Sequence, residues 1–249
     1  MRIALGTSVV IEAEAADEAG ARRGLAAAFA QVEAVAAAMD PEAPTSDVAR
    51  LNRAIRGEPV EVGELTAAVL RFAGQLHQHS AGTFDPCLPG RPGTLAQLEL
   101  RGEGPRTWAR CPVPLTLDLG GIAKGFAVDC AVAALRGAGC TGGLVNAGGD
   151  LRAFGAARSV LLRCPRAPLQ PVVLHEAALA VSDYRQAHAP RGHRGYYRRG
   201  AGALRPFARW VAVRAADAMR ADALTKCVLL CPPAAADALL RAFGAQRLG

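Results

Sequence analysis

Hydrophobic and polar positions alternate loosely over residues 2–13, which predicts a strand. Residues 17–38 then read as a long Ala-rich helix, ended by the Asp40-Pro41 turn because a residue before proline is pushed out of the helical region. Ser46 caps a short helix carrying Val48, Leu51 and Asn52. Residues 64–78 place Leu65, Val69, Phe72 and Leu76 on one face, the pattern of a helix with one buried stripe. Residues 81–93 are rich in Gly and Pro and predict a loop.

Residues 115–119 read as a strand, followed by a Gly turn and a helix from about residue 124 to 135, stopped by Gly137 and Gly139. Residues 143–146, 151–154, 160–163, 172–174 and 178–181 are short strand candidates, and 210–214 is another. A helix is expected over about 217–230 and a last one after Pro233. Strands and helices mix without regular βαβ alternation, so the fold class expected is α+β, as one unit over residues 1–249.

Composition narrows the function. No charge-free run of about 18 apolar residues occurs, so no membrane-spanning helix and no stable membrane insertion are expected. The opening residues lack an apolar leader. A cytoplasmic location is therefore expected for the chain as it stands, or the periplasmic face where a leader precedes it. Seven cysteines, with no C-x-x-C pair, read as scattered small hydrophobes and not as a zinc or disulfide framework. The formal charge is +7, densest between Arg191 and Arg209, and reads as a solvated loop or the rim of an anionic-ligand site, with no nucleic-acid partner expected. Gly137-x-Gly139-x-x-Gly142 follows a helix and precedes a strand, the reverse of a dinucleotide-binding turn.

Lysine occurs only at Lys124 and Lys226, and asparagine only at Asn52 and Asn146. In a chain this rich in Ala, Arg, Gly and Pro, the few Lys and Asn are expected at positions where other residues do not serve. Three polar segments stand out, two of them glycine-bearing, and two of the three carry the lysines. Gly82-Thr83-Phe84-Asp85-Pro86 is an extended turn in which Phe84 either faces a ligand or plugs the core. Leu117-Asp118-Leu119-Gly120-Gly121-Ile122-Ala123-Lys124 delivers a carboxylate into a Gly-Gly turn that opens a helix; backbone N–H groups and Lys124 there suit an anion. Asp222-Ala223-Leu224-Thr225-Lys226 offers a carboxylate and a hydroxyl among apolar neighbours, a donor set for a hard cation such as Mg²⁺.

Taken in order, these segments resemble the ApbE family of FAD:protein FMN transferases. Leu5-Gly6-Thr7, the Ser46 to Asn52 helix, the Asp118 to Asp129 run, Asn146-Ala147-Gly148-Gly149-Asp150, Ala180-Val181-Ser182-Asp183-Tyr184-Arg185 and Asp222 are similar to successive family motifs. The resemblance implies a T-fold-like unit, a mixed or antiparallel sheet flanked by helices. It also implies a Mg²⁺-dependent reaction that cleaves FAD, joins FMN through its phosphate to a Thr or Ser of an acceptor flavoprotein, and releases AMP. Hydrolysis of FAD to FMN and AMP, or flavin binding without catalysis, are the alternatives. By resemblance, Leu5, Asn52, Thr83, Phe84, Asp85, Asp118 and Lys124 would contact FAD; Asp222, Lys124 and His193 are the candidate catalytic residues; Gly121 and Asp222 would hold the metal. The family's metal-motif threonine falls at Lys226, with Thr225 one residue earlier. Either Thr225 shifts into that role, or the Lys226 ammonium supplies the charge, or the metal has fewer protein ligands.

Overall fold

The computed structural model describes residues 1–102, 106–165, 167–183 and 210–248. His193 and Tyr184-Arg185, singled out above, and the basic stretch 191–209 lie outside the described residues. The chain runs β1 (Arg2–Ala4), β2 (Thr7–Glu14), α1 (Glu18–Met39), α2 (Asp47–Arg53), β3 (Val60–Val62), α3 (Glu64–His79), β4 (Glu99–Arg101), β5 (Thr107–Arg110), α4 (Ala123–Gly137), β6 (Gly142–Ala147), β7 (Asp150–Phe154), β8 (Arg158–Leu162), β9 (Gln170–Leu174), β10 (Ala177–Asp183), β11 (Trp210–Ala215), α5 (Ala218–Leu230), α6 (Pro233–Ala242) and β12 (Gln246–Leu248). The α+β class is as the sequence predicts. Among the described residues no helix is long and apolar enough to cross a membrane, and all seven cysteines are free thiols.

Seven strands form one sheet in the order β1-β2-β6-β7-β10-β11-β12, every neighbour antiparallel. Side chains alternate between its faces. Val9, Val145, Phe154, Ala178 and Ala180 join Val32, Val128 and Val132 in a core under α1 and α4. Leu151, Ala153, Leu179 and Ala212 point the other way, onto Leu162 and Leu174 of the β8–β9 hairpin. The same alternation sends Asp150 and Ser182 to the helix face, where the polar site forms. A smaller sheet, β3-β5-β4, packs with α3 in the largest core cluster.

Two expectations need correction. Residues 115–119 do not form a strand: the segment makes one isolated bridge, Leu117 to Cys87, because it pairs with the Gly- and Pro-rich loop instead of with a sheet. The strands β3, β4, β5 and β12 have no counterpart in the sequence pattern, since runs of three or four residues carry too little alternation to register.

Helix α5 is the structural centre. Every residue from Ala221 to Leu230 is buried, between α4 on one side and β10 and β11 on the other. Its start is held from two directions. Asp217 caps it by accepting from Arg220 N at 2.9 Å. Asp129, on α4, accepts from Ala218 N at 2.9 Å and Met219 N at 2.8 Å, and from Arg152 at 2.7 Å. Burial pushes the Asp129 carboxyl up, although those two amides and Arg152 oppose it. Asp129 is thus a cap supplied by another helix. Asp129→Ala strands two amides and an arginine, and is expected to cost about 2 kcal/mol. A lowered urea midpoint checks this; an unchanged midpoint contradicts it.

Candidate active site

The site gathers where the N-terminus of α4 meets α5 and the β6–β7 turn. Gly125 permits the meeting. A Cβ there would lie 2.2 Å from the Ala218 carbonyl oxygen and 2.8 Å from the Asp222 Cβ, so only glycine lets α4 approach α5 this closely. At that distance Gly125 N donates to Asp222 Oδ2 at 3.1 Å, satisfying one of the helix-start amides. Behind it, Asn146 Oδ1 accepts from Gly149 N at 2.9 Å and shapes the turn that carries Asp150. Gly148 and Gly149 take φ of +63° and +100°, which glycine tolerates.

Four charged groups then lock together. Lys124 Nζ lies 2.8 Å from Asp150 Oδ2 and 3.7 Å from Asp222 Oδ2. Lys226 Nζ, one helical turn beyond Asp222 on α5, pairs with Asp222 Oδ1. Asp222 is fully buried, and Asp150 and Lys226 nearly so. Burial pushes both aspartates up. For Asp222 the two lysines and the Gly125 amide outweigh burial and hold the carboxyl below its ordinary value. For Asp150 burial, reinforced by the neighbouring Asp222 charge, wins and the carboxyl stays above it. Charges this buried persist only when paired.

A chain of hydroxyls completes the cluster. Thr225 Oγ1 donates to the Asp222 carbonyl oxygen at 2.6 Å. Its single proton is thereby used, so at 2.7 Å it accepts from Ser182 Oγ. Ser182 Oγ in turn accepts from Lys226 Nζ at 3.2 Å.

In front of the lysines lies a cavity of about 700 Å³, lined by Leu5, Asp118, Gly120, Gly121, Lys124 and Lys226, with residues 39–42 on its far wall. That volume falls within the usual range of small-molecule sites, about 300–1,000 Å³. A narrow cleft of about 20 Å³ adjoins it, lined by Thr83, Phe84, Asp85 and Pro86. Asp118, Gly121 and Lys226 line both hollows. A second large cavity, about 940 Å³, opens on the hairpin side of the sheet between the β6–β7 turn and Trp210.

The structure therefore brings together Leu5, Thr83, Asp85, Asp118, Gly121, Lys124 and Lys226. Several residues expected at the site stand elsewhere. Asp222 does not face the cavity but sits behind the lysines and orients them. Thr225 is fully buried and turned towards Ser182, so it does not shift into the cavity. Phe84 packs in the core at 5% exposure and also lines the narrow cleft, so it meets both of its readings. Asn52 spends both ends of its amide on one residue: Nδ2 donates to Leu117 O at 3.0 Å and Oδ1 accepts from Leu117 N at 2.6 Å. It anchors the segment that carries Asp118 from a distance, and it does not line the cavity. Asp85 likewise accepts from Cys87 N at 2.9 Å and Leu95 N at 3.3 Å, bracing its loop. Asp150 and Ser182 stand out in the sequence only as parts of motifs; their inward register on β7 and β10 is the signal that marks them as site residues.

The set implied for Mg²⁺ does not fit that ion. Among the described residues no three His, Cys, Asp or Glu side chains gather as a metal site. The Lys226 ammonium sits on Asp222 Oδ1, Gly125 N donates to Oδ2, and the Thr225 hydroxyl gives its proton to Asp222 O while accepting from Ser182. An ion on that carboxylate would sit beside an ammonium. At about 4 Å and an effective dielectric near 20, a +1 and a +2 charge repel by about 8 kcal/mol.

Comparison with known proteins agrees with the architecture. The chain superposes on the Pseudomonas stutzeri flavinyl transferase ApbE in its apo form with a TM-score of 0.81 at 20% identity, covering 99% of this chain and 88% of that one. Vibrio cholerae flavin transferase ApbE gives 0.79 at 20% identity, covering 99% and 91%. The ApbE protein of Thermotoga maritima gives 0.78 at 24% identity, covering 99% and 92%. No curated protein matches the chain. The family profile described as the ApbE family matches residues 5–247, nearly the whole length. On that match, the chain belongs to the ApbE family.

Proposed function

We propose that this protein is an FAD:protein FMN transferase. The observation that carries the reading is the pair of ammonium groups, Lys124 and Lys226, set at one cavity wall and held from behind by buried Asp222 and Asp150. Two fixed positive charges beside a Gly-Gly turn suit the diphosphate of a dinucleotide, where compact donors outside bulk water stabilise phosphate oxygens. The names of the structural relatives, flavin and flavinyl transferases, support flavin as the dinucleotide's other half.

In the reaction, the hydroxyl oxygen of an acceptor Thr or Ser attacks the FMN-side phosphorus. The bond from that phosphorus to the bridging oxygen breaks, AMP leaves with the bonding pair, and the hydroxyl proton ends on the departing AMP phosphate or in solvent. Lys124 and Lys226 would oppose the charge that builds on the phosphate oxygens and on the departing AMP. Asp222 and Asp150 would keep both ammoniums aimed at the diphosphate. Asp118, its Oδ1 tied to Gly120 N at 2.8 Å, would fix the turn against which the diphosphate rests.

The test is nucleotide release. The protein is incubated with FAD, with and without a panel of flavoprotein acceptor segments bearing one Thr or Ser, and the nucleotides are separated chromatographically. AMP that appears only with an acceptor is the expected result. Intact FAD throughout contradicts the proposal, and equal FMN and AMP without any acceptor would identify a hydrolase instead.

A further inference from the structure

We propose that the Lys226 ammonium takes the place of a divalent cation at the diphosphate, so that this chain binds FAD without Mg²⁺. The inference rests on the transferase reading above and deepens it. Lys226 lies on α5 four residues after Asp222, paired with Asp222 Oδ1 and donating to Ser182 Oγ at 3.2 Å. These two contacts hold it from the buried side. Its other side belongs to the cavity and to the narrow cleft, with Asp118 and Gly121. An ammonium is a compact point charge that serves a phosphate oxygen as a small cation does, and here two contacts fix its flexible stem. Here it sits on one oxygen of the carboxylate that would hold a metal.

The second charge comes from Lys124, tied to Asp150 at 2.8 Å. Among the described residues the cluster sets two aspartates against two lysines before any ligand enters. Seating a divalent ion would require Lys226 to leave Asp222 or to lose its proton, and neither Ser182 nor Thr225 compensates, since both hydroxyls are committed within the cluster. The retention of lysine at only two positions, both in this cluster, agrees with the charge having a task.

FAD titrations followed by flavin fluorescence test this, in buffer with EDTA and in buffer with MgCl₂. For the unaltered protein the two dissociation constants are expected to agree within about twofold. Lys226→Thr is expected to bind FAD about tenfold more weakly in EDTA, with the loss recovered in MgCl₂. Lys226→Gln, which keeps the length of the side chain without its charge, is the second variant if the threonine chain does not fold. An unaltered protein that loses about tenfold affinity when EDTA replaces MgCl₂ overturns the proposal, as does Lys226→Thr binding FAD normally in EDTA. Both results leave the transferase reading standing. Absence of FAD binding in either buffer sinks that reading, and the inference with it.

Discussion

Asp222→Ala is expected to abolish FMN transfer and to destabilise the protein by about 3–5 kcal/mol, the usual cost of removing one partner of a buried ion pair. The carboxylate is fully buried and answers to Lys226, Lys124 and the Gly125 amide together. Alanine leaves all three facing a void. The lysines lose their fixed direction at the cavity wall, so activity falls even in the fraction that remains folded. The pH dependence has a definite sign. Burial pushes the Asp222 carboxyl up, but Lys124 and Lys226 outweigh it and hold its pKa below the ordinary 3.8. The stability it contributes is therefore complete at neutral pH and is lost as pH falls below that value. The difference between the unaltered and Asp222→Ala proteins in urea should shrink under those acidic conditions. Equal urea midpoints at neutral pH, or undiminished turnover, would contradict the assignment.

Gly125→Ala is the second large effect. In most helix positions alanine is the better residue by about 1 kcal/mol. Here its methyl would meet a backbone carbonyl oxygen at 2.2 Å, and backbone does not step aside cheaply. A net loss of about 1–3 kcal/mol is expected, as for other overpacked contacts. The separation of α4 from α5 also breaks the amide contact to Asp222 and carries Lys124 away from its partners, so transfer falls with stability. Gly74 supplies the control. It lies inside α3, and a Cβ added there would meet nothing within 4 Å, so Gly74→Ala should raise stability by about 0.5–1 kcal/mol. Urea midpoints that move in the same direction for both variants would refute the close-approach account.

Periodicity alone locates the long helices and the central strands, because each buries one stripe or one face against the same core. It is silent on contacts between distant segments. Asn52 and Leu117 are 65 residues apart, and nothing in either segment announces that an amide side chain will stand in for a neighbouring strand. The scarcity of Lys and Asn does carry information, of two kinds. Both lysines belong to the charged cluster, while both asparagines brace backbone, Asn52 at Leu117 and Asn146 at the Gly149 turn. The four-residue spacing of Asp222 and Lys226 makes them neighbours on one helix face. It does not reveal that the carboxylate lies behind the ammonium, since α5 is buried on every side and has no polar face to give away its orientation. Asp150 depends on two further folds of the chain, the glycine turn and the docking of β7 beside the start of α4.

The most direct test of the account is the intact mass of the acceptor. An acceptor flavoprotein segment with a single Thr or Ser is incubated with FAD and the purified protein, then weighed by mass spectrometry. The segment is expected to gain one FMN phosphoester at that hydroxyl, and the gain to disappear when the hydroxyl is replaced or when Asp222→Ala protein is used. An acceptor mass that stays unchanged while FAD is bound at the lysine-lined cavity would contradict it.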